Sequence, residues 1–157
     1  RRRRGSFVQP PAFVDFDEAP QAAIELLGQC RALGFFRFCF GFVKHPFDLE
    51  ERTALFGEAI IRFLKKVSRG PHNDRLIDQL TGCGTSVGAN YCEANEGLSK
   101  KDFRNIIGRC KKEAKESKFF LRMIAASEPK LADEARALYR EAKELHLIFA
   151  AIFRNSA

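Results

Sequence analysis

The sequence predicts an all-α protein: an antiparallel up-down-up-down four-helix bundle preceded by an irregular N-terminal extension. Three observations carry that expectation. From Phe47 onward, apolar residues recur at three- and four-residue intervals in four successive segments, the pattern of helices that each bury one face. Only short turns separate the segments, as antiparallel neighbours require. The chain has 157 residues, 45% hydrophobic and 30% charged, enough for one domain with a real core. Residues 1–46 read as the extension and residues 47–157 as the bundle.

The first helix is expected from about Asp48 to Val67. Leu49, Phe56, Ile60, Phe63, Leu64 and Val67 share one face, with Glu51, Glu58, Arg62 and Lys65 opposite. Acidic residues at its start and Lys65-Lys66 at its end complement the helix dipole. Ser68-Arg69-Gly70-Pro71 is a turn.

The second segment contains the most unusual stretch, TGCGTSVGANYCEANEG from Thr81 to Gly97. So many small residues permit either a loop or a helix that lets neighbours approach closely. The apolar stripe Leu76, Leu80, Cys83, Val87, Tyr91 and Ala94 runs through the glycines without losing phase, which favours helix. Each internal glycine costs roughly 1 kcal/mol against alanine, so packing must override propensity. A phosphate-binding loop is the rival, but neither GxxxxGK[ST] nor GxGxxG occurs. Beside the apolar stripe, Arg75, Gln79, Ser86, Asn90 and Glu93 fall within about 60° of each other. That polar line is either a solvated boundary or a hydrogen-bonded network fixing register or assembly, the reading favoured here.

Ser99 followed by Asp102 forms a capping pattern for a third helix from about Lys100 to Ala126. Its core stripe is Phe103, Ile106, Ile107, Cys110, Ala114, Ser117, Leu121 and Ile124. Alongside runs a basic stripe, Lys101, Arg104, Lys111, Lys115, Lys118 and Arg122. Phe119 and Met123 fall on the face expected to meet solvent, so a contact beyond the bundle is expected there. After the Ser127-Glu128-Pro129 connection, with Ser127 as cap, the fourth helix is expected from about Glu128 to about Asn155. Leu131, Ala135, Leu138, Ala142, Leu145, Phe149 and Ile152 point inward.

Residues 1–46 differ in character: an Arg1–Arg4 run, Pro10-Pro11, a short helix from about Glu18 to Leu33, then the Phe-rich GFFRFCFGFVKHP. With Met123 the sole methionine, this region reads as part of a fragment or as translation upstream of the true start. Acidic residues precede its apolar run and no small-residue cleavage site follows, which argues against a signal peptide. That run, Ala32 to Val43, is broken by Arg37 and too short to span a bilayer. Five cysteines without a CxxC pair argue for reduced thiols in a cytoplasm.

The formal charge of +7 favours an anionic partner, nucleic acid ahead of a membrane surface. The basic stripe is the candidate surface. It would attract phosphate without regard to sequence; as a solvated flank it would instead pair with Glu113 or Glu116. Catalysis finds no support. A four-helix bundle invites a di-iron site, but Glu-x-x-His is absent, and His45, His72 and His146 are scattered. No cofactor or metal is expected. His146 reads as a hydrogen-bonded boundary histidine.

The stretches FDLEERTALFGEAIIRFLKKV, LIDQLTGCGTSVGANYCEANEGLSKKDFRNIIGRCKKEAKESKFFLRMI and EAKELHLIFAAIFR together cover about Phe47 to Asn155. They closely resemble the four-helix-bundle proteins associated with 23S rRNA intervening sequences, GTSVGANYCEA with SKKDF being the most specific element. That family also looks related to accessory variability proteins of diversity-generating retroelements. The resemblance implies a homo-oligomer, a pentameric barrel, with no enzymatic activity. For the retroelement relatives it implies binding of nucleic acid and a reverse transcriptase through basic surface, which here maps to Arg104, Lys111, Lys115, Lys118 and Arg122. The competing expectation is a structural or protein-interaction module that binds no nucleic acid.

Overall fold

The computed structural model describes residues 48–96 and 99–156. What the sequence led us to expect of residues 1–46, including the Phe-rich stretch and Cys30 and Cys39, lies outside them. Four helices follow in order: α1 (Leu49–Leu64), α2 (Asn73–Asn95), α3 (Lys100–Ser127) and α4 (Ala132–Asn155), with a 3-10 turn at Pro129–Leu131 before α4. Each helix packs on the next, and α4 closes back on α1 through a thinner contact. This is the expected bundle.

The helix ends follow local chemistry. Asp48, in extended backbone, accepts a hydrogen bond from the Glu51 amide at 3.0 Å and caps α1. Ser99 caps α3 in the same way, accepting from the Asp102 amide at 3.1 Å. α1 stops at Leu64, three residues before the expected end. The Lys66 and Val67 amides donate to Phe63 and Leu64 carbonyls, tightening the last turn into a 3-10 pattern. Val67 nevertheless stays buried. Ser127 does not cap the fourth helix. It ends α3, and its hydroxyl donates to Asn73 Oδ1 at 2.5 Å. Asn73 Nδ2 in turn donates to the Ser68 carbonyl at 2.9 Å and to Glu128 at 2.8 Å. One buried asparagine thus ties together both turns at that end of the bundle.

Phe56, Ile60, Leu80, Ile107, Leu121 and Phe149 are fully buried and come from all four helices. Leu76 is only half-buried, and Ile77 takes the buried place beside it. α2 continues unbroken through its glycines. A Cβ on Gly84 would lie 3.0 Å from both Cγ1 and Cγ2 of Ile60, and one on Gly88 would lie 3.4 Å from the Thr53 backbone. The glycines let α2 press directly on α1. Gly82 is different: nothing lies within 4 Å of where its Cβ would be.

α1 is fastened to α4 by charge as well as by packing. Arg52 donates to Glu141 at 2.6 and 3.0 Å and to Glu144 at 2.5 Å, and Lys66 donates to Glu134 at 2.7 Å. Among the described residues, no helix is long and apolar enough to cross a membrane.

Candidate nucleic-acid interface

The basic stripe of α3 lies along the seam with α4. Lys101 and Lys115 are exposed, while Arg104, Lys111, Lys118 and Arg122 are half-buried. The seam's other wall comes from α4 residues spaced seven apart. Phe153 lies under two cations at once, with the Arg104 Cζ 4.5 Å and the Lys111 Nζ 4.2 Å from its ring centroid. Tyr139 lies 5.8 Å from the Lys118 Nζ. His146 Nδ1 sits 3.0 Å from the Lys111 carbonyl oxygen; a carbonyl only accepts, so Nδ1 carries the hydrogen. His146 is therefore the hydrogen-bonded boundary residue expected.

Charge is segregated around the bundle. From Asp48 to Glu96 the chain holds eight acidic and six basic residues; from Ser99 to Ser156 it holds eight acidic and fourteen basic. On α4 the glutamates Glu134, Glu141 and Glu144 face Arg52 of α1 and Lys66 in the turn that follows it. On α3, Arg109 and Lys112 lie off the stripe and are paired, with Glu93 at 3.0 Å and Glu116 at 3.5 Å. Within the stripe, Lys101, Arg104, Lys111 and Lys115 form no ion pair among the described residues. Arg104 Nε is buried without a hydrogen-bond partner among the described residues; leaving such an N–H unsatisfied costs about 1–3 kcal/mol. Cations held against aromatic rings rather than against carboxylates keep their field, so this seam can attract phosphate.

The polar line on α2 is only partly joined up. Glu93 reaches α3 through Arg109, whereas Gln79, Ser86 and Asn90 are half-buried and Arg75 is exposed. On the neighbouring flank, α1 and α2 enclose a shallow groove of about 600 Å³ floored by small residues, Gly57, Thr85, Gly88 and Ala89, and rimmed by Asp48, Glu50, Glu51 and Glu58. Phe119 is 55% exposed, packing edge-on to Phe120 at 5.3 Å, while Met123 is half-buried. Leu147, at 58%, is a further exposed apolar side chain that the periodicity reading did not single out.

No group of three or more histidine, cysteine or acidic residues comes together to hold a metal among the described residues. Cys83 and Cys110 are buried, and burial pushes the Cys110 thiol up to about 12 and raises that of Cys83. Such thiols are poor nucleophiles and poor ligands at neutral pH.

Sequence reasoning found the cations of the seam but not the aromatic residues that hold them. The signal was there: Tyr139, His146 and Phe153 repeat every seven residues beside the α4 core stripe, and Gly108 falls in phase between Arg104 and Lys111.

A four-helix bundle with a basic seam between its last two helices defines a class of small helical proteins. The chain belongs to the 23S rRNA-intervening sequence protein family, whose model matches residues 48–151. Among solved structures, it is similar to a protein of unknown function from the S23 ribosomal protein family of Bacteroides thetaiotaomicron VPI-5482. The two are 22% identical with a TM-score of 0.60, over 67% of this chain and 97% of that one; at that identity the likeness speaks to the fold. No curated protein matches.

Proposed function

We propose that this protein is a non-enzymatic, homo-oligomeric helical bundle that binds RNA or DNA through the basic α3–α4 seam. The observation that carries this reading is the row from Lys101 to Arg122, in which at least four cations have no carboxylate partner among the described residues. Off the stripe, Arg52, Arg62, Lys66, Arg69, Arg109, Lys112 and Arg136 are held in ion pairs; what distinguishes the row is that its unpaired cations line one seam of the bundle. Phosphate contacts of this kind are independent of sequence and weaken steeply with salt. Membership in the 23S rRNA-intervening sequence family supports the nucleic-acid reading without naming a ligand.

Gel-shift titrations with single-stranded RNA and DNA at several salt concentrations test it. Binding should fall with salt and disappear in a variant carrying K111E, K115E and K118E. Absence of binding at low salt, or binding unchanged by those reversals, overturns it.

The second reading is a protein-interaction module, and the α1–α2 groove favours it. A small-residue floor with an acidic rim admits close approach by a neighbour, and self-association into a ring such as a pentamer is one form that takes. Phe119 and Met123 offer a further contact surface, and a reverse transcriptase is a partner to test. Light scattering that gives a strict monomer removes the assembly part of the proposal. A pull-down that recovers protein after nuclease treatment, with no nucleic acid bound, replaces the first reading with this one.

A further inference from the structure

Within the seam, one cluster is built rather than merely charged. Arg104 and Lys111 are two helical turns apart on α3, and the residue between them in phase is Gly108. Phe153, from the last turn of α4, lies over that glycine: a Cβ at position 108 would meet Phe153 Cε2 at 3.2 Å. The missing side chain lets the ring lie against α3, where both cations reach its π system at 4.5 and 4.2 Å. Neither cation forms an ion pair among the described residues, and Arg104 Nε is enclosed without an acceptor.

We propose that Arg104 and Lys111, held in place by Phe153 seated on Gly108, form a preorganised seat for the phosphodiester backbone of a nucleic acid. This rests on the nucleic-acid reading above and deepens it, because it separates two cations positioned by an aromatic ring from others that only add charge. Lys101 and Lys115 are those others, exposed and without a ring contact among the described residues. Long cationic side chains lose rotamer freedom when they bind, and a ring that has already restricted them removes part of that cost. The chemistry called for is an extended polyanion whose phosphates can meet cations along the seam, with no demand on base identity.

Two variants change the seat without changing its charge. F153L removes the π surface at a half-buried site in the final turn, and G108A crowds Phe153 Cε2, so that the ring must shift from its place between the two cations. Each is expected to weaken binding of the full chain to a single-stranded RNA or DNA about tenfold at fixed salt, with the salt slope nearly that of the parent. F153Y, which keeps the ring, should restore parental affinity. R104A and K111A should each lower the salt slope by about 1 and lose more affinity than K115A. Circular dichroism and melting of every variant separate lost binding from lost structure. If F153L and G108A bind as the parent does, or R104A and K111A lose no more than K115A, the preorganised seat is overturned while nucleic-acid binding stands. A parent protein that binds neither polymer overturns both.

Discussion

Gly84 of α2 faces Ile60 of α1 so closely that a methyl group on the glycine would sit 3.0 Å from both branches of the isoleucine. Ile60 is fully buried and has nowhere to withdraw. The G84A variant gains about 1 kcal/mol of helix propensity and incurs overpacking of about 1–3 kcal/mol. A net loss of stability is expected, read as a lower urea midpoint. G82A is the contrasting control: with open space around its Cβ, it should stabilise an isolated chain by about 0.5–1 kcal/mol. If light scattering shows that G82A also disrupts an assembly, the outer face of α2 is a subunit contact.

Asn73 is 8% exposed and joins the turn before α2 to the turn after α3 through three hydrogen bonds. Replacing it by alanine strands the Ser127 hydroxyl and the Ser68 carbonyl. A loss of about 1–3 kcal/mol is expected, measured by thermal unfolding. Equal stability of N73A and parent would show that water replaces the latch without cost.

The Arg52 guanidinium is raised above its ordinary range, chiefly by its hydrogen bonds to Glu141, and it also reaches Glu144. Glu141 is the more buried partner, at 17% side-chain exposure against 63% for Glu144. Exposed pairs contribute little, and enclosed ones are costly to break. E141Q should therefore destabilise more than E144Q, with R52A the most harmful, a ranking that denaturant midpoints can check.

The Cys110 thiol has an ordinary pKa of 9.0 that burial pushes up to about 12 in the fold. The folded state thus holds a proton that the unfolded state releases. This contribution is fully present below about pH 9 and is lost as pH rises towards 12; Cys83 acts in the same direction. C110A should flatten the alkaline loss of stability relative to the parent. By the same burial, alkylation of the native protein near pH 8 should label exposed Cys92 and spare Cys83 and Cys110, as peptide mass mapping would show.

Much of this fold was legible because helical periodicity is a local property. The stripes through Phe56 and Ile60, Leu80 and Val87, Ile107 and Leu121, and Leu145 and Phe149 each repeat within a few residues, and their phase alone turned Thr81 to Glu93 from a loop into helix. Helix ends were less legible. Ser127 resembles a cap, but Asn73, 54 residues away, claims its hydroxyl.

The sequence by itself determined the four helices, their buried faces, the family resemblance and the basic row from Lys101 to Arg122. Each depends on residue type at short spacing, which the helix geometry translates directly into a surface. The tertiary structure decided which neighbours those surfaces meet. It divided the glycines into Gly84 and Gly88, pressed against α1, and Gly82, open to its surroundings. It also brought Phe153 from the far end of α4 onto Gly108, between Arg104 and Lys111. Such contacts depend on how helices distant in sequence are set side by side, and no periodicity within one helix records that.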